Sequence, residues 1–127
     1  MLTGDQTNPN SLTRTWTGLI PHYSLTLTAK VYKIDSWPNN TIFMMVDGTS
    51  VATATFNSTN SGLSDTCGTP TPIPDSINTN FNDIAFTLTA TVPHTNSAVT
   101  ATFVSNLAGT TGAWGVREVS LKIEACD

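Results

Sequence analysis

The chain has 127 residues, one domain by length and enough to bury most of its apolar surface in a single core. Only 11% of residues are charged, less than half the usual share, and the five basic residues (Arg14, Lys30, Lys33, Arg117 and Lys122) are scattered. With a net charge of -4 this excludes a basic nucleic-acid surface, and no apolar run nears the roughly 18 residues of a membrane span.

The place of charge is taken by 24 Thr, 11 Ser and 11 Asn, while Val, Ile, Phe, Tyr and Trp recur along most of the length. Disordered chains lack that β-branched and aromatic content. Hydroxyl-bearing residues outside and apolar ones beneath suit a two-layer sheet protein. Such a surface also fits an extracellular setting. Met1 to Leu12 is polar and lacks the apolar stretch of a signal peptide, so secretion implies a removed signal or a longer parent chain.

In chain order, residues 1–14 read as a polar N-terminal arm or linker, and residues 15–127 as the sandwich domain. From His22 to Lys33, Tyr23, Leu25, Leu27, Ala29 and Val31 alternate with Ser24, Thr26, Thr28 and Lys30, the pattern of a half-buried strand. Trp37-Pro38-Asn39-Asn40 is a turn cluster, and Thr41 to Val46 a short apolar strand ending in the tight-turn pair Asp47-Gly48. Ser50 to Phe56 is its hairpin partner. Asn57 to Asn82, rich in Ser, Asn, Pro and Gly, is a long irregular region of the kind that is functional or disordered. Alternation returns from Asp83 to Val92, with Ile84, Phe86, Leu88, Ala90 and Val92 on the inner face. Ala98 to Val104 is a further strand, Asn106 to Gly112 a turn, and Val119, Leu121 and Ile123 the inner face of a last strand. Strands at this spacing, without a helical period anywhere, imply a sandwich or barrel.

Pro21-His22 and Pro93-His94 each sit at a bend beside a strand, where proline is tolerated, and read as two similar corners. Cys67 and Cys126 have too few companions for zinc. A disulfide is the preferred reading because Cys67 lies in a polar loop, and two buried free thiols are the alternative. The closed loop of about 60 residues would contribute about 4 kcal/mol.

His22, His94, Asp35 and the serines can be drawn as a hydrolase triad, but there is no Gly-x-Ser-x-Gly elbow and the two histidines read as structural. Asp35 and Asp47 can be drawn as a glycosidase couple, without the second acidic cluster such a site would have. Trp16, Trp37 and Trp114 are candidates for stacking on sugar rings, against the plainer reading of core packing. Asn39 and Asn57 head N-glycosylation tripeptides, and Thr69 to Pro74 is an O-glycan candidate.

Trp16, Leu19-Ile20-Pro21-His22, Ile34-Asp35-Ser36-Trp37, Val46-Asp47-Gly48, Val92-Pro93-His94-Thr95, Phe103-Val104-Ser105-Asn106-Leu107 and Trp114-Gly115-Val116 stand in an order that resembles a module of secreted and surface proteins of bacteria and protists. The resemblance runs from about Trp16 to Ile123. It implies an all-β, two-sheet antiparallel sandwich, jelly-roll-like (galactose-binding-like), placed outside the cell and without catalytic activity. Where relatives carry an acidic residue after Trp-Gly-Leu/Ile, this chain has Arg117, which disfavours a calcium ion there. In phase with Val119, Leu121 and Ile123, Arg117 is expected to face inward and to pair with Asp35 in the cation's stead, the alternative being a bulge at Gly115 that turns it to solvent. No other cofactor is implied.

Two functions fit. One is a non-enzymatic structural or adhesive building block of a cell-surface or filamentous assembly, self-associating through the N-terminal arm or sheet edges. The alternative is a carbohydrate-binding module. Polar uncharged surface and the absence of a catalytic set favour the first, and the tryptophans the second.

Overall fold

A computed structural model describes residues 2–4, 11–35, 39–56, 84–106 and 112–126. Among the described residues eight strands run in the order β1 (Leu2–Gly4), β2 (Ser11–Trp16), β3 (His22–Asp35), β4 (Asn40–Val46), β5 (Thr49–Phe56), β6 (Ile84–Pro93), β7 (Val99–Ser105) and β8 (Gly112–Ala125). They form two four-stranded antiparallel sheets, β1-β8-β3-β6 and β2-β7-β4-β5. The fold is an all-β sandwich of jelly-roll type.

The alternation dictates the two layers. Leu25, Leu27, Ala29 and Val31 of β3 and Leu88 of β6 meet Ile42, Met44 and Val46 of β4 and Val99, Ala101 and Phe103 of β7, with Trp114 and Val116 of β8 closing the core. On the outside, threonines pair across strands: Thr26 with Thr91 at 2.7 Å and Thr28 with Thr89 at 3.0 Å on the first sheet, Thr41 with Thr55 at 2.7 Å on the second. Each such pair adds roughly 0.2–1 kcal/mol. Among the described strands, threonines make up much of the outer face of both sheets.

Residues 11–14, expected within an arm, are sheet. Ser11–Trp16 pairs with Val99–Val104 along six positions, and Leu2–Gly4 lies on the edge of its own β8, opposite Val116, Gly115 and Trp114. Tests of apolar alternation miss β2 because Thr13, Arg14 and Thr15 are exposed and leave only Leu12 and Trp16 leaning on the core.

Three bulges among the described strands re-aim side chains. Thr28 faces Ser120 but Lys30 faces Arg117, so β8 carries one extra residue at Glu118–Val119, with Glu118 at φ 55°. Counting by twos from Ile123 therefore fails beyond Val119: Val116 and Trp114 are the inward residues, and Arg117 is turned out. On β3 the extra residue is Tyr23, between the pairs His22–Ala125 and Ser24–Glu124, which leaves Tyr23 58% exposed rather than in line with Leu25. On β5 it is Val51, between the pairs Met44–Ala52 and Met45–Ser50.

Among the described residues, no helix is long and apolar enough to cross a membrane.

Candidate functional site

At one end of the sandwich β3 begins and β6 ends, side by side, with Ser24 opposite Pro93. The two Pro-His dipeptides are therefore neighbours at a single corner rather than two separate ones. His22 Nε2 lies 2.8 Å from His94 Nδ1, and the rings are nearly coplanar, 9° apart with centroids at 5.1 Å. That is an in-plane hydrogen bond between imidazoles, not face-to-face stacking. Both histidines are buried.

The turn between β4 and β5 completes the row. Asp47 and Gly48 have φ of 48° and 85°, the two positive values that a tight two-residue hairpin turn demands and that Asp-Gly supplies. This turn carries the Asp47 carboxylate to the histidines. Oδ2 is 3.0 Å from His94 Nε2, and Oδ1 accepts Thr100 N–H at 2.9 Å. Backbone bonds hold both partners: Asp47 N–H donates to Thr100 O, and His94 N–H to Tyr23 O. At the other end His22 Nδ1 is 2.6 Å from Ile20 O. The row Ile20–His22–His94–Asp47 thus ties β3 of one sheet to the β4–β5 hairpin of the other.

Beside it opens a cleft of about 250 Å³, lined by Val46, Asp47, Thr49, Val51, Val92, Pro93 and His94. The bulge that displaces Val51 from the ladder contributes one wall. The Asp47 side chain is 41% exposed, that of His94 only 6%. The cleft accordingly offers apolar walls, an anchored carboxylate with lone pairs to spare, and a hydroxyl from Thr49.

The other candidate residues fall elsewhere. Asp35 is thirteen positions from His22 on β3, about 40 Å along the strand, so neither an Asp35 triad with the histidines nor an Asp35–Asp47 couple exists. Asp35 stands opposite Gly112 and Arg117 opposite Lys30. The Arg117 guanidinium, 51% exposed, donates to Glu118 Oε1 at 3.2 Å. The expected buried Asp35–Arg117 pair is replaced by this surface contact because of the bulge at Glu118, and Arg117 does not stand in a cation's place. Trp114 is fully buried in the core, and Trp16, under the Arg14 guanidinium at 4.7 Å, is on the opposite sheet. These two do not share a stacking platform, and Trp37 lies outside the described residues. Asn39 is exposed, at φ 59°, whereas Asn57 and residues 69–74 lie outside the described residues. Cys126 is an exposed thiol whose backbone N–H donates to Pro21 O, and Cys67, its expected disulfide partner, is also outside them. Among the described residues no group of three His, Cys, Asp or Glu is placed to hold a metal ion.

No protein-family model matches the chain, and no curated protein matches it in sequence. Among solved structures it is similar to the C-terminal domain of EclA, a sugar-binding protein, with a TM-score of 0.58 and 19% identity. The match covers 87% of this chain and 65% of that one, so the chain spans about two-thirds of that structure's length. At this identity the likeness is one of fold.

Proposed function

We propose that the domain is a non-enzymatic, extracellular adhesive module that binds carbohydrate in the Asp47–His94 cleft. The observation that carries this reading is the cleft itself: apolar walls from Val46, Val51, Val92 and Pro93 around a carboxylate fixed at both oxygens. A sugar ring offers the matching chemistry, a C–H face for the walls and hydroxyl donors for the carboxylate. The sugar-binding character of the EclA domain, which shares the fold, supports the same reading. The non-enzymatic part rests on where the row ends. His22 meets the carbonyl of Ile20, whereas a hydrolase would place a nucleophilic hydroxyl at that position. The exposed threonine faces suit an extracellular surface protein.

Size sets the affinity. A cleft of about 250 Å³ falls below the range of about 300–1,000 Å³ for drug-sized ligands and suits a single ring. At about 0.3 kcal/mol per heavy atom, a hexose gains about 4 kcal/mol, a millimolar dissociation constant. Useful adhesion then requires several copies acting together.

The test is a glycan array probed with protein displayed multivalently, as wild type and as Thr49→Arg. Thr49 is exposed at the cleft, and the arginine fills the space against Asp47 while leaving the core untouched. Binding by the wild type that Thr49→Arg abolishes supports the proposal. Binding that Thr49→Arg leaves intact moves the site elsewhere, and no binding to any glycan refutes the reading.

A further inference from the structure

The proton count of the buried row is fixed by what stands at its two ends. Ile20 O, 2.6 Å from His22 Nδ1, is a carbonyl and can only accept, so that nitrogen carries a proton. At the other end Asp47 Oδ2 faces His94 Nε2 at 3.0 Å while Oδ1 accepts Thr100 N–H. That contact needs a proton as well. The 2.8 Å contact between His22 Nε2 and His94 Nδ1 needs a third. Two neutral imidazoles carry one N–H each, which leaves the row one proton short.

We infer that the His22–His94–Asp47 row holds one shared proton beyond those of two neutral imidazoles, and that the closed, uncharged row presents the Asp47 carboxylate in the cleft to uncharged, hydroxyl-bearing rings. The inference rests on the carbohydrate-binding reading for its ligand, but not for the proton. With three ring-bound protons the row is one imidazolium and one imidazole against the Asp47 carboxylate, and it has no net charge. Asp47 is then tied down at both oxygens, and its remaining lone pairs accept from a hydroxyl without attracting a cation or repelling an anion by net charge. With two protons the row carries one negative charge. One contact is then left without a proton: either two nitrogen lone pairs meet between the rings, or one faces the carboxylate and the hairpin turn that forms one wall of the cleft loses its tie to the opposite sheet.

No other titratable side chain shares the row. Among the described residues β4, β5, β6 and β7 carry none; β3 brings Tyr23 beside His22, and the end of β8 brings Glu124 and Cys126. Of these, Glu124 is engaged with Lys122 at 3.6 Å, and neither Tyr23 nor Cys126 bonds to either ring through its side chain.

Imidazole nitrogen-15 correlation spectra of the wild type and of Asp47→Asn, recorded near pH 6, count the protons directly. An asparagine at 47 keeps its oxygen for Thr100 N–H and donates its amide to His94 Nε2, so the row closes with two ring protons. Three ring-bound protons in the wild type and two in Asp47→Asn are expected. Two in the wild type, or three in both, overturn the inference. Asp47→Asn keeps the row uncharged but replaces the carboxylate, and its affinity for immobilised neutral hexoses is expected to fall about tenfold, equivalent to about 1.4 kcal/mol; unchanged affinity overturns the role of the carboxylate in the cleft. Three ring protons in a protein that binds no hexose at any pH leave the proton count standing and defeat the carbohydrate reading instead.

Discussion

Replacing Asp47 by alanine tests whether the row holds the two sheets together. The side chain accepts from His94 Nε2 and from Thr100 N–H, and its backbone sits at φ 48°. His94 is almost sealed from solvent with Asp47 in place, so its nitrogen loses a buried partner, at a cost of about 1–3 kcal/mol for a stranded polar group. Thr100 is partly exposed and recovers most of its bond from water. Alanine in the left-handed region adds about 1 kcal/mol that aspartate and asparagine largely escape. Asp47→Ala should therefore cost about 3 kcal/mol, and Asp47→Asn, which keeps both bonds and tolerates the turn, under about 1 kcal/mol. Urea unfolding followed by tryptophan fluorescence reads both, as a shift of midpoint at constant slope. Equal losses for the two variants, or a loss below about 1 kcal/mol for alanine, would refute the reasoning, because either result means that the carboxylate contacts contribute nothing distinctive.

Leu27→Ala removes a fully buried side chain from the centre of β3 and should cost about 3 kcal/mol in the same assay; a cost below about 1 kcal/mol would contradict its place in the core. Trp114→Ala should lower stability by about 3–5 kcal/mol, as loss of a core residue does, and a selective loss of glycan binding in a stable protein would instead restore its stacking role. Glu118→Gly relieves a positive φ in the β8 bulge and should stabilise by about 0.5 kcal/mol after the added flexibility of the unfolded chain, so a clear destabilisation argues against the bulge. Removing residues 1–14 strips β1 from β8 and most of β2 from β7 and should lower the urea midpoint; an unchanged midpoint would return those residues to the status of an arm.

The two layers were legible because apolar alternation with period two leaves one way to bury Leu25, Leu27, Ala29 and Val31 and still wet Thr26 and Thr28. The Asp47-Gly48 hairpin was legible for an equally local reason, since few dipeptides accept two positive φ angles. What alternation cannot carry is an insertion. One extra residue at Glu118 reverses the phase of everything before it in β8, which is why Arg117, in step with Val119 by count, is on the wet face beside Glu118. β2 escaped notice because an edge strand with exposed threonines has little to alternate. The site lay furthest from view. His22, Asp47 and His94 were each visible, as bends or a turn, but the chain separates them by 25 and 47 residues and places them at the ends of different strands. Only the antiparallel registry of β3 with β6, and the packing of one sheet's corner on the other sheet's hairpin, turns two Pro-His bends and one Asp-Gly turn into a single hydrogen-bonded row.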